Sequence, residues 1–248
     1  MKKQHYIIGD IHGCLSEWLK LEDKILHHAT KNRVEPFIIS VGDLIDRGPD
    51  SAGVVSHFRK GQKKGTHLTL MGNHEQLFLA MIAHFAPWNF EQSYPAWLPT
   101  YQQDFKRGRV MGKYLTWEDY QIFRRCFLMG QGAYETLTSY GCDPHQPDSW
   151  HIFPDDLHFL AQLPFFYESE TFFVTHAFAK SKDWILFRQH FPQSGKETLH
   201  WNQDKQFLFQ DLSESLIWNR TPPKQALEEN RLHISGHTPL PKVKRFPI

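Results

Sequence analysis

Three times in its first 85 residues the chain runs from a short apolar stretch into a glycine-flanked Asp or Asn, and out again into a segment of helical spacing. The pairs are His5–Gly9 with Leu15–His28, Phe37–Val41 with Ser51–Lys60, and His67–Met71 with a helix from about Glu75 to His84. Leu15, Trp18, Leu19, Leu21, Ile25 and Leu26 mark the apolar face of the first helix. Short β-rich runs alternating with helices predict an α/β fold. In open α/β sheets the ligand crevice lies where strands end and the chain turns, which is where each polar motif falls.

A chain of 248 residues, 40% hydrophobic and 15% aromatic, can bury a substantial core, and one catalytic domain over residues 1–248 is expected. With 28 basic and 27 acidic residues there is no global field to recruit a nucleic-acid polymer or an acidic membrane. The apolar run before Asp10 is too short for a signal peptide and no later stretch reaches membrane-spanning length, so a soluble, cytoplasmic protein is expected. Cys14, Cys126 and Cys142 form no CxxC pair and read as reduced, individually placed thiols.

Beyond Pro87 the rhythm breaks. Residues 87–127 form an aromatic insertion carrying Trp88, Trp97, Tyr101, Tyr114, Trp117 and Tyr120. It reads equally well as a helical cap walling a substrate or as a helical pair covering apolar surface. Gly130–Tyr140 resumes order, Pro154–Leu163 has the proline and acids of a helix start, and Thr171–Thr175 is a strand leading into His176. Residues 180–214 alternate aromatic and polar positions without an assignable pattern. Leu232–Ser235 is a last strand entering Gly236-His237-Thr238-Pro239.

The chemistry sits in Gly9-Asp10-Ile11-His12-Gly13, Gly42-Asp43-Leu44-Ile45-Asp46-Arg47-Gly48 and Gly72-Asn73-His74-Glu75. Each places hard or borderline metal ligands beside glycine, which lets the backbone approach a charged centre closely. Asp10 and His12, two apart in extended chain, point the same way and can grip one ion. Asp43, from the neighbouring strand end, can bridge two ions. Asn73, His176 and His237 complete a mixed oxygen and nitrogen shell that suits Mn, Fe, Zn, Co or Ni better than Ca.

The blocks GDIHGC, VGDLIDRGPDS, GNHEQ, FVTHA, IWNR and ISGHTP, in this order between Tyr6 and Pro239, resemble the calcineurin-like metallophosphoesterases. Within them the nearest likeness is to the phosphoprotein phosphatase branch of bacterial and bacteriophage-type serine/threonine phosphatases. The resemblance implies two mixed β-sheets packed together and flanked by helices. It implies a first metal on Asp10, His12 and Asp43 and a second on Asp43, Asn73, His176 and His237, with Mn the expected ion. Arg47 and Arg220 would clamp phosphate oxygens, a task that suits the planar guanidinium fork. His74 would be the general acid and Asp46 the partner that orients it. Two metals would activate a shared water against phosphorus, so no covalent phosphoenzyme is required.

Two departures bear on substrate. Met71 stands where many protein phosphatases of this kind carry an arginine, and the related symmetrical dinucleoside tetraphosphatases also carry an apolar residue at that point. The chain also ends eleven residues after His237, where such families continue into another strand pair, which predicts a minimal or truncated second sheet. Three functions follow: a phosphomonoesterase acting on phosphorylated protein, peptide or small phosphoester; a dinucleoside polyphosphate hydrolase with the insertion stacking on a base; or a non-catalytic metal- or phosphate-binding module.

Overall fold

The computed structural model describes residues 1–90, 95–106, 116–192, 201–240 and 242. Tyr114, parts of both the insertion and the 180–214 stretch, and most of the tail after Leu240 therefore lie outside the described residues.

The first sheet is made by the three early motifs. Strands β1 (Lys3–Ile8), β2 (Glu35–Ser40) and β3 (His67–Thr69) run parallel in the order β1-β2-β3. The crossovers are α1 (Leu15–Asn32) and α2 (Ser51–Lys63). A left-handed Arg33 at φ 53° stops α1, and the Asp50 carboxylate starts α2 by accepting from Gly53 N at 2.8 Å. After β3 the chain turns into α3 (Asn73–Phe85). The described pairings of this sheet are all parallel, so it is not mixed as expected.

The second sheet is mixed. Strands β4 (Phe166–Glu168), β5 (Phe172–Thr175) and β6 (Leu232–Ser235) lie in that order, antiparallel between β4 and β5 and parallel between β5 and β6. Alternation along each strand builds the sandwich. Ile7, Val41, Leu68 and Leu70 from the first sheet meet Tyr167, Phe172, Val174 and Ile234 from the second. The opposite faces turn to helices: Ile38 joins Val54, Val55 and Phe58, while Phe173 stacks on Trp184 at 4.5 Å.

The aromatic insertion is chiefly packing. Its helices α4 (Tyr101–Lys106) and α5 (Trp117–Leu128) cover α3, with His84 against Tyr101 and Trp117. Trp97, Tyr101 and Tyr120 are buried, and the exposed Trp88 donates its indole N–H to Trp150 O at 3.2 Å. None of these three buried rings is free to stack on a base. A π-turn, Met129–Ala133, leads from α5 into α6 (Tyr134–Ser139), and α7 (Pro154–Ala161) follows.

Two helices fill what the sequence left unassigned: α8 (Ser181–His190) and α9 (Gln203–Trp218). The second escapes periodicity because it buries polar residues, Gln210, Ser213 and Ser215, among Phe209, Leu212, Leu216 and Ile217.

Candidate metal centre

The loops leaving β1, β2 and β3 are stitched together before any side chain contributes. Ile11 N and His12 N both donate to Asp43 O, at 3.0 and 2.8 Å, and Gly13 N donates to Leu44 O at 2.7 Å. Glycine is required where the loops cross: Gly42 sits at φ 113°, and a Cβ on Gly72 would fall on Asp43 Oδ1. Of the seven non-glycine residues with left-handed backbone among the described residues, five stand at this site: His12, Asp43, Asp46, Arg47 and His237, at φ 47, 52, 72, 68 and 63°. Each is costly for a side chain with a Cβ, and most of that cost falls on residues the sequence singled out. His12 therefore reaches the centre from a left-handed turn and not from the extended chain expected.

Asp43 is the hub. It is 2% exposed, its Oδ2 lies 3.4 Å from His176 Nε2 and 3.8 Å from His12 Nε2, and its Oδ1 accepts from His74 N at 3.1 Å. Two groups of donor atoms within 4.8 Å of one another share it: His12, Asp43 and His74, and Asp43, His176 and His237. Asn73 Oδ1 is 3.1 Å and His237 Nδ1 3.2 Å from His176 Nε2. Asp10 stands beside the clusters and not within them: half-buried, it accepts from His237 N at 3.2 Å.

Protons decide what this arrangement can hold. His176 Nδ1 donates to Val41 O at 2.9 Å, so in the neutral ring Nε2 carries a lone pair, aimed at Asn73 Oδ1 and Asp43 Oδ2. His12 Nδ1 likewise donates to Ile45 O at 2.9 Å, leaving its Nε2 as an acceptor. His237 Nε2 is buried without a hydrogen-bond partner. Acceptors facing acceptors in a buried site repel unless a cation lies among them, so the donor set fits divalent metal. The same burial holds His12 and His237 down to about 4 and lowers His176, which keeps all three rings neutral and able to ligate. Burial also lifts Asp43 to about 7, with the Asp10 charge adding to the rise and His74 opposing it.

On the other side of Asp43, His74 Nδ1 donates to Asp46 Oδ2 at 2.6 Å. Burial alone would lower the His74 imidazole, yet the hydrogen bond to Asp46 and the charges of Asp43 and Asp46 raise it. Arg47 donates from Nη1 to His12 Nε2 at 2.7 Å and from Nη2 to His74 Nε2 at 3.0 Å, a cation resting on two of the bare acceptors. Arg220 is exposed at the rim and donates to His237 O at 3.4 Å. It is held there by the end of α9, where Ala177 N donates to Leu216 O at 2.7 Å and Asn219 Nδ2 to Phe178 O at 2.8 Å. Met71, fully buried in the core, offers the site nothing.

Two positioning groups were not identified from sequence. Glu75, 0% exposed, accepts from Asp43 N at 2.9 Å, Gly72 N at 3.0 Å and Leu44 N at 2.7 Å, clamping the second loop to the third. Its place three residues after Gly72 in a helix start was a readable capping signal. Thr136 Oγ1 donates to Asp46 Oδ1 at 2.6 Å and accepts from Asp46 N at 2.9 Å, which aims the other carboxylate oxygen at His74. Gly132 lets this happen, since a Cβ there would meet Arg47 N and Asp46 Cβ.

The profile of the calcineurin-like phosphoesterases matches residues 6–242, nearly the whole chain. The chain belongs to that family. Calcineurin-like phosphoesterases use divalent metals, in keeping with the bare donor clusters around Asp43. Over 74 residues the chain is 39% identical to serine/threonine-protein phosphatase 1 of Salmonella typhimurium, 30% of this chain and 31% of that protein. Over 79 residues it is 40% identical to the symmetrical bis(5'-nucleosyl)-tetraphosphatase of Wigglesworthia glossinidia brevipalpis, 32% of this chain and 27% of that protein. The enzyme of the same name from Shewanella sediminis is 35% identical over 79 residues, with the same coverage. The chain thus spans about a third or less of the length of the curated relatives it matches. No described helix is long and apolar enough to cross a membrane.

Proposed function

We propose that this calcineurin-like phosphoesterase is a phosphomonoesterase of the serine/threonine protein phosphatase kind, working with two divalent ions, Mn foremost, bridged by Asp43. The observation that carries the reading is the convergence of His12, His74, His176 and His237 ring nitrogens on the Asp43 carboxylate, with His176 Nε2 only 3.4 Å from Oδ2. His12 and Asp43 would hold the first ion with Asp10 alongside, and Asp43, Asn73, His176 and His237 the second. The bound ions would polarise the phosphoryl oxygens and supply an activated water.

The remaining steps belong to side chains. Arg47, swung from His12 and His74 onto a phosphate oxygen, neutralises charge and frees His74 Nε2. Arg220 approaches from the opposite rim. His74, held through Nδ1 by Asp46, then carries a proton on Nε2 for the departing alkoxide. Glu75 and Thr136 touch no substrate and act by fixing Asp43 and Asp46.

A second reading, hydrolysis of symmetrical dinucleoside tetraphosphates, is favoured by the apolar Met71 and by the tetraphosphatase relatives. Initial rates on a phosphothreonine peptide, p-nitrophenyl phosphate and diadenosine tetraphosphate, with Mn and after chelation, separate the readings. The peptide is expected to turn over fastest and chelation to abolish all three. Faster cleavage of the dinucleotide selects the second reading, and no metal-stimulated turnover leaves a binding module. A cytoplasmic location belongs to the same proposal, supported by Cys14, Cys126 and Cys142, all unpaired.

A further inference from the structure

At the opposite end of the first sheet, three side chains meet that the proposed chemistry does not use. Glu22 comes from α1, His57 from α2 and His67 from the first residue of β3, which pairs with Ile38. Glu22 Oε2 lies 2.9 Å from His57 Nε2, and Glu22 Oε1 lies 3.0 Å from His67 Nε2. One ligand atom from each falls within 4.8 Å of the others.

We propose that Glu22, His57 and His67 form a second transition-metal site, separate from the strand-end centre and selective for an ion of the zinc and cobalt class. Two imidazoles and one carboxylate make a borderline donor set, which suits zinc or cobalt and disfavours calcium and magnesium, and one position stays open for water. The fixed orientation of His67 supports the site. Thr66 Oγ1 lies 3.1 Å from Gly61 O and 2.9 Å from His67 Nδ1, so it holds the ring by that nitrogen. With Thr66 beside Nδ1, His67 Nε2 is the ring atom turned to the Glu22 carboxylate, 3.0 Å away. A metal ion would take the two imidazole nitrogens and the carboxylate as ligands in place of the contacts they now share, with Thr66 orienting the His67 ring.

The surroundings hold this geometry. Gly61 lies inside α2, where glycine costs roughly 1 kcal/mol against alanine, and a Cβ there would collide with His67 Nδ1. The ring thus sits directly on the helix backbone. Phe58 meets it edge-on at 5.2 Å and Trp18 at 6.2 Å. His67 is 7% exposed, Glu22 13% and His57 29%, so the third ligand is the entry path. An ion here would clasp α1, α2 and β3 together and stabilise the folded state by mass action.

The test uses the full chain carrying Asp43→Asn and His237→Ala, which silence the strand-end centre, stripped with chelator and then equilibrated with zinc alone. About one zinc per chain should remain after gel filtration, with a rise in unfolding temperature. Cobalt should give the ligand-field absorption of a four-coordinate ion. Adding His57→Phe should abolish both. If that variant does not unfold cooperatively, Glu22→Gln, which keeps the side chain's shape, carries the comparison. No zinc on the silenced chain, or zinc that neither substitution removes, overturns the site and leaves an imidazolium–carboxylate clasp in its place. The result is independent of phosphatase activity, which the silenced chain lacks by design.

Discussion

The strand-end loops and the 87–127 insertion are both rich in rings, yet they are built to opposite ends. In the loops, five residues with side chains accept left-handed backbone, and unprotonated nitrogens face a buried carboxylate. In the insertion, Tyr101 and Tyr120 meet edge-on between two regular helices, and Trp97, in the turn before them, is buried edge-on against Phe165. The first region spends stability to hold reactive groups, and the second supplies it. Variants should therefore split cleanly: changes in the loops cost turnover and can relieve strain, whereas changes in the insertion cost stability and spare the chemistry.

The largest effect on turnover is expected from Asp43→Asn. It should lower kcat/KM on the order of 10³-fold or more, because losing the shared ligand removes several kcal/mol of charge stabilisation. The metal-free variant should also unfold at a higher temperature than the metal-free parent, since a buried carboxylate among acceptors is gone. A lower unfolding temperature would break the contrast between the regions.

His74→Asn comes next. The rate on a phosphoserine peptide, whose leaving group needs a proton, should fall by about 10²- to 10⁴-fold. p-Nitrophenyl phosphate, whose leaving group does not, should be cleaved nearly as before. Equal losses on both substrates would remove His74 from the proton-donating role.

Thr136→Val should show the same leaving-group signature more weakly, roughly a tenfold loss in kcat on the phosphopeptide, because leaving Asp46 Oδ1 without its donor, while Asp46 N keeps Ser51 Oγ, costs about 1–3 kcal/mol of alignment and stability. KM should hold, and Thr136→Ser should restore the rate. A uniform loss on all substrates would mark Thr136 as merely structural.

Trp97→Ala completes the series from the other region. Its ring packs edge-on against Phe165 at 5.3 Å, and its loss should destabilise the fold by about 3–5 kcal/mol in denaturant titration while kcat/KM per folded molecule stays within a few-fold. A large catalytic defect in protein that is still folded would make the insertion a substrate wall after all.

The same contrast explains what could be read from the chain. The residues that gather around Asp43 were legible because each sits in a short motif at a strand end, where glycine, carboxylate and imidazole have few reasons to coincide. β1, α1, β2, α2 and α3 were legible as short apolar runs alternating with helical segments, and observed bounds differ from expected ones by four residues or fewer. Thr136 was not, since it serves Asp46 across 90 residues and nothing local marks a threonine in a helix as a partner. α9 was hidden by its own buried polar residues, and with it the means by which Arg220 reaches the rim. β4, three residues long, depends on pairing with β5 and carries no period of its own.

The claim beneath all of this is that loops distant in sequence cage two divalent ions around one carboxylate. Crystals grown with manganese and mapped by anomalous scattering test it directly. The account requires two peaks at the strand ends with the Asp43 carboxylate between them, one near His12 and the other ringed by Asn73, His176 and His237. A map with no density between Asp43 and His176 would contradict it.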